Sequence, residues 1–259
     1  MKRQAEPPLL TMESHGVTLK GRSRSHNEDA ILWPPLLGSD DDGVPCYLVA
    51  LADGVGGGPL GEVASATAAA SLRESFGTRV TEPADTLRAS FASANAAVLK
   101  MARTEGAEGA ATTLVALLVT GGSAWVANVG DSRAYLVREG EAVQITLDHL
   151  VSPRHVSPSG ARSSVLTRAI GTRSGARVDI FGPIELREYD SLVLCSDGLH
   201  QAVESHDIVD AVSRSEARRA VTELCGRAQS RGGDDVSVVA CNFVPSPRGL
   251  ATATRWSSP

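Results

Sequence analysis

The sequence lacks several features that would assign it to a class at once. No stretch of about 18 apolar residues is present, the length that a membrane-spanning helix requires. The basic start Met1-Lys2-Arg3 is followed by a polar, proline-containing segment instead of an apolar one, so we expect no signal peptide. There is no basic excess, since the formal net charge is -5. These absences predict that the protein binds neither membranes nor nucleic acid.

Cysteine is also scarce, and no two cysteines have the spacing of a zinc finger or a redox motif. The four residues are Cys46, Cys195, Cys225 and Cys241, and two of them lie inside strongly apolar runs. We therefore expect buried free thiols in a reducing compartment. Together with the missing signal peptide, this predicts a cytoplasmic location.

The length and composition fit one globular unit with a large core, because the chain has 259 residues and is 42% hydrophobic and 21% charged. Residues 1–14 carry no periodicity, and the end from Pro245 is rich in Pro, Ser and Thr. We therefore predict loose tails at 1–14 and 245–259, and a single folded domain at 15–244.

Short apolar, β-branched runs predict buried strands at 47–52, 112–119, 124–129, 133–137, 142–146, 191–195 and 236–240. Amphipathic stretches predict helices at 61–76, 84–103, 205–213 and 216–230. Turn sequences such as Gly121-Gly122 join successive strands as hairpins. The pattern predicts an α+β fold with helix-covered antiparallel sheets, and the absence of a regular βαβ alternation makes a doubly wound parallel fold the weaker alternative.

Four aspartates share one position in this pattern: each lies at the edge of an apolar strand, and each is next to a glycine. They are Asp53, Asp131, Asp197 and Asp234. Any one of them can be explained as a turn residue that caps its own backbone. If the strands belong to two packed sheets, however, the carboxylates converge at one edge and repel one another unless cations are present. Oxygen ligands without a Cys/His pair favour Mg²⁺ or Mn²⁺ over Zn²⁺. Two such ions about 3.5–4 Å apart activate water and hold a phosphate for hydrolysis.

The ordered motifs resemble the metal-dependent protein phosphatases of type 2C, in particular their compact bacterial members. The resemblance spans about residues 16–243. It rests on Gly21-Arg22-Ser23-Arg24-Ser25-His26-Asn27-Glu28-Asp29, Asp53-Gly54-Val55-Gly56-Gly57, Gly61-Glu62-Val63-Ala64-Ser65, Ala111-Thr112-Thr113-Leu114, Val129-Gly130-Asp131-Ser132-Arg133, Leu166-Thr167-Arg168-Ala169-Ile170-Gly171, Cys195-Ser196-Asp197-Gly198-Leu199 and Gly233-Asp234-Asp235-Val236. Each motif alone is weak, and their order and spacing make the set specific.

The resemblance implies a four-layer αββα sandwich, two antiparallel sheets flanked by helices, with a metal cleft at one edge. It assigns Asp53 as the ligand that bridges two metals, and Asp197 and Asp234 as the ligands that complete the first metal site. The carbonyl of Gly54 would face the second metal. Asp131 matches a ligand for a third, weaker metal that Asp197 shares.

Other positions are less well determined. The resemblance makes Asp29 a second-metal ligand, direct or through water, with Glu28 beside it, although Glu28 is equally explained as a solvated charge at a strand end. Arg24 matches the arginine that grips the substrate phosphate, and the alternative is an ion pair with Asp29. Arg133 and Arg168 are expected to make structural ion pairs or hydrogen bonds, and Thr112 and Thr113 to pack in a strand.

The implied activity is hydrolysis of phosphoserine and phosphothreonine in proteins by a metal-bridging hydroxide, with two or three Mn²⁺ or Mg²⁺ ions. The implied partners are phosphoproteins in signal transduction by bacterial Ser/Thr kinases, and we expect a monomer. One alternative is a pseudophosphatase that acts as a regulatory binding module. Another is a phosphatase of a partner-switching pathway, which has the same chemistry and a different substrate.

The chain departs from the family pattern at three places. Val55 replaces the histidine that animal members use as a proton donor, and none of the histidines His149, His155, His200 and His206 is an obvious substitute. Asp235 stands where asparagine is common, and we predict that Asp234, not Asp235, is the ligand. The segment 148–165 resembles a shortened flap beside the cleft, which predicts broader or altered peptide preference.

Overall fold

The computed structural model describes residues 10–56, 60–77, 79–151, 165–246 and 255–256. The strands are β1 Leu10–Leu19, β2 Asp29–Ser39, β3 Pro45–Asp53, β4 Leu114–Thr120, β5 Ser123–Val129, β6 Arg133–Arg138, β7 Glu141–Gln144, β8 Leu150–Val151, β9 Val165–Leu166, β10 Asp179–Glu185, β11 Ser191–Cys195, β12 Val236–Pro245 and β13 Arg255–Trp256. The helices are α1 Gly61–Ser75, α2 Pro83–Thr104, α3 Asp197–His200, α4 Ser205–Ser213 and α5 Ala217–Arg231. None of these helices combines the length and the apolar character that crossing a membrane requires.

Two sheets form the centre of the fold. One has the strand order β13-β1-β12-β11-β6-β7, and the other has the order β10-β5-β4-β3-β2. All neighbours are antiparallel except β13, which runs parallel to β1. Helices α1 and α2 pack on the second sheet, and α4 and α5 pack on the first. The predicted αββα sandwich is confirmed.

The central strands are buried on both faces, and their alternating side chains contribute to different layers. In β3, Val49 and Leu51 pack between the two sheets, whereas Leu48 and Ala50 pack under α1 and α2. The strand β11 follows the same rule, with Leu192 and Leu194 between the sheets. Continuous apolar runs are expected for strands that are covered on both sides, which is why these strands could be predicted.

Two edge strands were not predicted, because each contains proline. Pro34 and Pro35 interrupt β2, and its pairing with β3 shifts register between Leu32 and Leu36. Pro183 interrupts β10, whose pairing with β5 shifts between Phe181 and Ile184. Proline has no N–H to donate to a ladder, so it is tolerated at an edge or at a bulge. Both strands occupy the edges of the second sheet.

The first strand was not predicted, and the folded part of the chain begins earlier than the predicted boundary at residue 15. Residues 10–14 are predicted to belong to a loose tail, but they form the first half of β1 and pair with β12 from Leu10 opposite Pro245 to Ser14 opposite Cys241. At the other end, Arg255–Trp256 within the predicted tail 245–259 adds a short strand beside β1. The mixed composition of residues 10–19 hides this strand, because only some of its side chains face the core.

Candidate active site

The strand ends bring the predicted aspartates together. Asp53 ends β3 and pairs with Asp29, the first residue of β2. Asp197 begins α3 directly after β11, and Asp131 and Asp234 lie in the turns before β6 and β12. A cleft of about 790 Å³ opens here, with Asp53, Asp131 and Asp197 among its lining residues. The convergence that the sequence predicted is therefore present.

The carboxylates strongly perturb one another. Burial, followed by the charges of Asp29, Asp197, Asp131 and Asp234, raises the pKa of Asp53 well above its ordinary value. Burial raises the pKa of Asp29 to about 7 and that of Asp197 to about 6, and the charges of neighbouring aspartates add to both shifts. The pKa of Asp131 is also raised by burial. Such a site favours either protons or cations.

The donor set fits hard divalent cations. Both carboxylate oxygens of Asp29 are buried and have no partner within hydrogen-bond distance among the described residues, and the nearby hydroxyls of Ser237 and Ser196 only partly offset the effect of burial on its pKa. A buried carboxylate without a donor is costly unless a cation or a proton compensates it. The remaining candidates, Asp53, Asp131, Asp197, Asp234 and the carbonyl of Gly54, offer oxygen only. This chemistry is what Mg²⁺ and Mn²⁺ prefer.

Two threonines hold the backbone of Asp53 in place. The Asp53 N–H donates to Thr113 Oγ1 over 3.0 Å. The Asp53 carbonyl accepts from the Thr113 N–H and from Thr112 Oγ1, each at 2.8 Å. Thr113 Oγ1 also lies 2.7 Å from the hydroxyl of Ser132, which follows Asp131. The sequence predicted only packing for Thr112 and Thr113, whereas they connect the turns that carry two candidate ligands.

Gly54 occupies a crevice that no other residue fits. A Cβ on Gly54 would lie 2.4 Å from the carbonyl oxygen of Gly61, the first residue of α1. The Gly54 N–H donates to the Glu28 carbonyl over 3.0 Å. The start of α1, the strand end at Asp53 and the loop before Asp29 are therefore in close backbone contact beside the cleft.

Arg24 lies at the mouth of the cleft and is held by two carboxylates. Its Nε and Nη2 donate to the two oxygens of Asp234 over 2.7 and 2.9 Å, and Nη1 donates to Glu28 Oε2 over 2.9 Å. The alternative pairing with Asp29 is not observed. A Cβ on Gly56 would come within 2.6 Å of Nη1, so this glycine leaves room for the guanidinium.

Asp234 and Asp235 have different environments. Asp235 is buried, and its two oxygens accept from the N–H groups of Gly21 and Glu28 over 2.7 and 2.8 Å. Its carboxylate is thereby used to hold the loop that carries Arg24 and Asp29. Asp234 instead accepts hydrogen bonds from Arg24 at both of its carboxylate oxygens, and its role as the ligand of the pair stays a prediction.

We expect Asp235→Asn to lower the free energy of unfolding by about 2–3 kcal/mol, because an amide cannot accept both backbone hydrogen bonds. Asp234→Asn, on the exposed side of the pair, is expected to change stability less and to weaken Mn²⁺ binding more. Urea unfolding and Mn²⁺ titration by calorimetry on both variants measure the two effects. Full Mn²⁺ affinity in Asp234→Asn with loss of affinity in folded Asp235→Asn would reverse the assignment.

Gly198, which follows Asp197, packs against the backbone of Asp235. A Cβ there would lie 2.0 Å from the Asp235 carbonyl oxygen. We expect Gly198→Ala to lower the free energy of unfolding by about 3 kcal/mol, because a backbone carbonyl cannot move aside as the end of a flexible side chain can. The matched control is Gly226→Ala within α5, where nothing lies within 4 Å and a gain of about 0.5–1 kcal/mol is expected. Thermal melts of the two variants that shift by similar amounts would contradict this packing.

Two histidines support the turn that carries Asp131. His149 is buried, and its Nδ1 accepts from the Gly130 N–H over 3.0 Å, so the proton on Nε2 faces Asp179 at 2.9 Å. His200 Nε2 donates to the Asp131 carbonyl over 3.0 Å. Burial, aided by the charge of Arg133, lowers the pKa of His200 to about 4, so it is a neutral donor near pH 7. The sequence predicted neither contact.

The predicted structural arginines both form ion pairs. Arg133 binds Asp148 through Nε and Nη2, with a shortest distance of 2.7 Å. Arg168 Nη1 donates to Asp179 Oδ1 over 2.8 Å, although this residue also lines the cleft. Val55 lines the cleft as well and brings no proton donor to it.

The predicted flap at 148–165 falls largely outside the described residues, which exclude 152–164 and therefore His155. What is described is its base, where Leu150 pairs with Leu166 and Val151 with Val165 in an antiparallel arrangement. Val165 and Leu166 line the cleft. The expected effect of the short flap on peptide preference stays a prediction.

Residues 20–235 match the family model described as protein phosphatase 2C. The chain belongs to the protein phosphatase 2C family. It is 34% identical over 241 residues to the serine/threonine protein phosphatase PstP of Mycobacterium tuberculosis, covering 87% of this chain and 44% of that protein. It therefore spans less than half the length of that relative. Against the serine/threonine phosphatase stp of Listeria welshimeri the identity is 32% over 237 residues, covering 84% of this chain and 90% of the relative.

A solved structure of the same family has the same fold. The catalytic domain of PstP in complex with two manganese ions superposes with a TM-score of 0.74 at 29% identity, covering 91% of this chain and 99% of that one. The similarity in fold extends over most of the chain, so the two sheets flanked by helices are the fold of the family.

Proposed function

We propose that this member of the 2C family is a metal-dependent protein serine/threonine phosphatase that hydrolyses phosphoserine and phosphothreonine. The observation that carries the proposal is the cluster of buried, mutually repelling carboxylates at one edge of the sheets, with Arg24 beside it. Buried carboxylates that raise one another's pKa are retained at a site where cations balance their charge. A pseudophosphatase that keeps the same ions would differ from this proposal only in lacking turnover.

The proposed ligands follow the placement of the residues. Asp53, Asp197 and Asp234 would hold one ion, and Asp53, the Gly54 carbonyl and Asp29 a second one. Asp131 together with Asp197 would hold a third. Mn²⁺ is supported by the two ions in PstP, and Mg²⁺ by the all-oxygen donor set. When bound, the ions supply a nucleophile at neutral pH and neutralise charge on the phosphate.

The chain's own groups bind and orient the substrate. Arg24 is the proposed phosphate ligand, since its planar guanidinium donates two parallel hydrogen bonds to Asp234 here and matches the geometry of a phosphate equally well. Thr112 and Thr113 keep Asp53 in position, as the hydrogen bonds to its backbone indicate. No side chain that lines the described cleft is a histidine, so we assign no side chain as the proton donor to the leaving group.

The proposed partners are phosphoproteins, in particular bacterial Ser/Thr kinases and their substrates, and we propose a cytoplasmic monomer. The names of PstP and stp support this substrate class.

Turnover of p-nitrophenyl phosphate and of a phosphothreonine peptide tests the proposal. We expect activity with Mn²⁺, loss with EDTA, and recovery when Mn²⁺ is restored. Acid quenching during turnover is expected to trap no phosphoprotein, because the nucleophile is water. A folded, Mn²⁺-binding protein without turnover of either substrate would support the pseudophosphatase instead.

A further inference from the structure

The loop after β9 is fixed against helix α2 and forms one wall of the cleft. Asn95 of α2 is buried, and its Oδ1 accepts from the Gly171 N–H over 2.9 Å while its Nδ2 donates to the Arg173 carbonyl over 2.9 Å. Gly171 has φ +94°, and a Cβ on it would lie 2.5 Å from Val98 Cγ1. The backbone that carries Arg173 is therefore held on both sides by one buried amide.

Among the described residues, three arginines line the cleft, and they differ in what holds them. Arg24 is bound by Asp234 and Glu28, and Arg168 is bound by Asp179. Arg173 is exposed, and its guanidinium has no hydrogen bond or ion pair with any residue in the described ranges. Within the described part of the chain it is thus a cation on a fixed backbone, in the same cavity as Arg24, and no described residue occupies its donors.

We propose that Arg173 forms a second anion-binding subsite, which binds an anionic side chain of the substrate near the phosphoresidue. This inference rests on the proposed function, because it takes the cleft to be the place where a phosphopeptide binds. The shared chemistry is a carboxylate or a second phosphate, since a guanidinium binds either through paired N–H donors. Because Asn95 already holds the backbone at Arg173, less conformational entropy is lost when Arg173 binds the anion.

The subsite acts on recognition and leaves the chemical step unchanged. It therefore lowers KM for acidic peptides, leaves kcat unchanged, and weakens as salt screens the pair. The test uses a phosphothreonine peptide with alanine at all flanking positions, and two series in which one flanking alanine is replaced by glutamate or by a non-hydrolysable phosphonate analogue of phosphoserine. Initial rates are measured for the wild type, Arg173→Glu, Arg173→Lys and Arg177→Glu. Arg177 is a matched control, because it is exposed in the same loop and is absent from the residues that line the cleft.

We expect the wild type to prefer at least one anionic peptide over the alanine peptide by about three- to tenfold in kcat/KM, which corresponds to one partly exposed ion pair. Arg173→Glu is expected to abolish or invert this preference, and Arg173→Lys to retain part of it. Arg177→Glu keeps it, and p-nitrophenyl phosphate turnover by the Arg173 variants is expected to fall by much less than the selectivity between the peptides. A preference for glutamate alone identifies a carboxylate as the ligand, and a preference for the phosphonate analogue alone identifies a second phosphate.

The subsite is overturned if the wild type shows no preference, or if Arg173→Glu and Arg177→Glu change it equally, which would indicate a general surface field. Loss of p-nitrophenyl phosphate turnover in folded Arg173→Glu would also overturn it, as it would place this residue in the phosphate site itself. If the wild type hydrolyses neither substrate, the proposed function fails. Fluorescence anisotropy then measures the affinity of the same peptides, labelled, for the wild type and for Arg173→Glu, and tests the subsite independently of turnover.

Discussion

Asp53→Asn is expected to lower Mn²⁺-dependent kcat/KM by about 1000-fold or more, and at the same time to raise the Tm of the metal-free protein at pH 8. Asp53 is the proposed bridge between two ions, so its loss removes the charge that holds both. Without metal, however, the same carboxylate faces the charges of Asp29, Asp197, Asp131 and Asp234. A neutral amide of the same shape relieves that repulsion.

The pH dependence of this gain has a definite sign. The pKa of Asp53 in the folded protein lies well above the ordinary value of 3.8. Folding therefore favours the protonated form, and the folded state loses stability as the pH rises from the unfolded pKa through the raised one. The stabilisation by Asp53→Asn is consequently expected to be large at pH 8 and to shrink as the pH falls toward 4. Saturating Mn²⁺ is expected to reverse the order of stability, because the wild type binds the ions more tightly.

Differential scanning calorimetry in EDTA and in Mn²⁺, at pH 8 and at pH 5, measures these differences. Glu141→Gln serves as the control, since it removes one negative charge from an exposed position of β7. It is expected to change neither the activity nor the Tm by much. An equal or lower Tm for metal-free Asp53→Asn at pH 8 would show that the carboxylates do not repel as described, and the argument for cations at this site would lose its main support.

The same carboxylates illustrate what the sequence could determine. Strands that are buried on both faces give continuous apolar stretches in the sequence. The positions of β3, β5 and β11 could therefore be predicted, together with the aspartates at or just beyond their ends. Antiparallel pairing then brings such ends to one edge of each sheet. The pairing of Asp29 with Asp53 could not be predicted in this way, because β2 contains two prolines and shows no regular alternation of apolar and polar residues.

The residues that support the site were harder to predict. Thr112, Asp235 and His149 act through hydrogen bonds to backbone groups far away along the chain, such as that from Gly21 to Asp235. No local spacing encodes such contacts, because they depend on how separate loops pack. Asp235 accepts two backbone hydrogen bonds, and this explains why an aspartate occupies the position. The two oxygens of a carboxylate can accept from both N–H groups at once. Composition alone would have shown only an extra acid.

Arg24→Lys is expected to reduce kcat/KM for a phosphothreonine peptide by about 100-fold, with most of the loss in binding of the phosphate. Lysine keeps the charge, but a single ammonium cannot form the two parallel hydrogen bonds that the guanidinium makes with Asp234. The inhibition constant of inorganic phosphate reports this contact without turnover and is expected to rise in parallel. Mn²⁺ affinity, measured by calorimetry, reports separately on Asp234, because Arg24 occupies both oxygens of this proposed metal ligand.

Arg79→Lys is the matched control for this substitution. Arg79 is exposed and likewise pairs with a carboxylate, Asp41, at 2.6 Å, but it is absent from the residues that line the cleft. Its replacement tests whether a change of arginine to lysine as such affects the enzyme, and we expect activity within about twofold of the wild type. If Arg24→Lys retained the wild-type affinity for phosphate, the guanidinium would serve only to hold Asp234 and Glu28 together. The phosphate would then have to be bound by the ions and by another arginine, for which Arg168 and Arg173 are the candidates among the described residues that line the cleft.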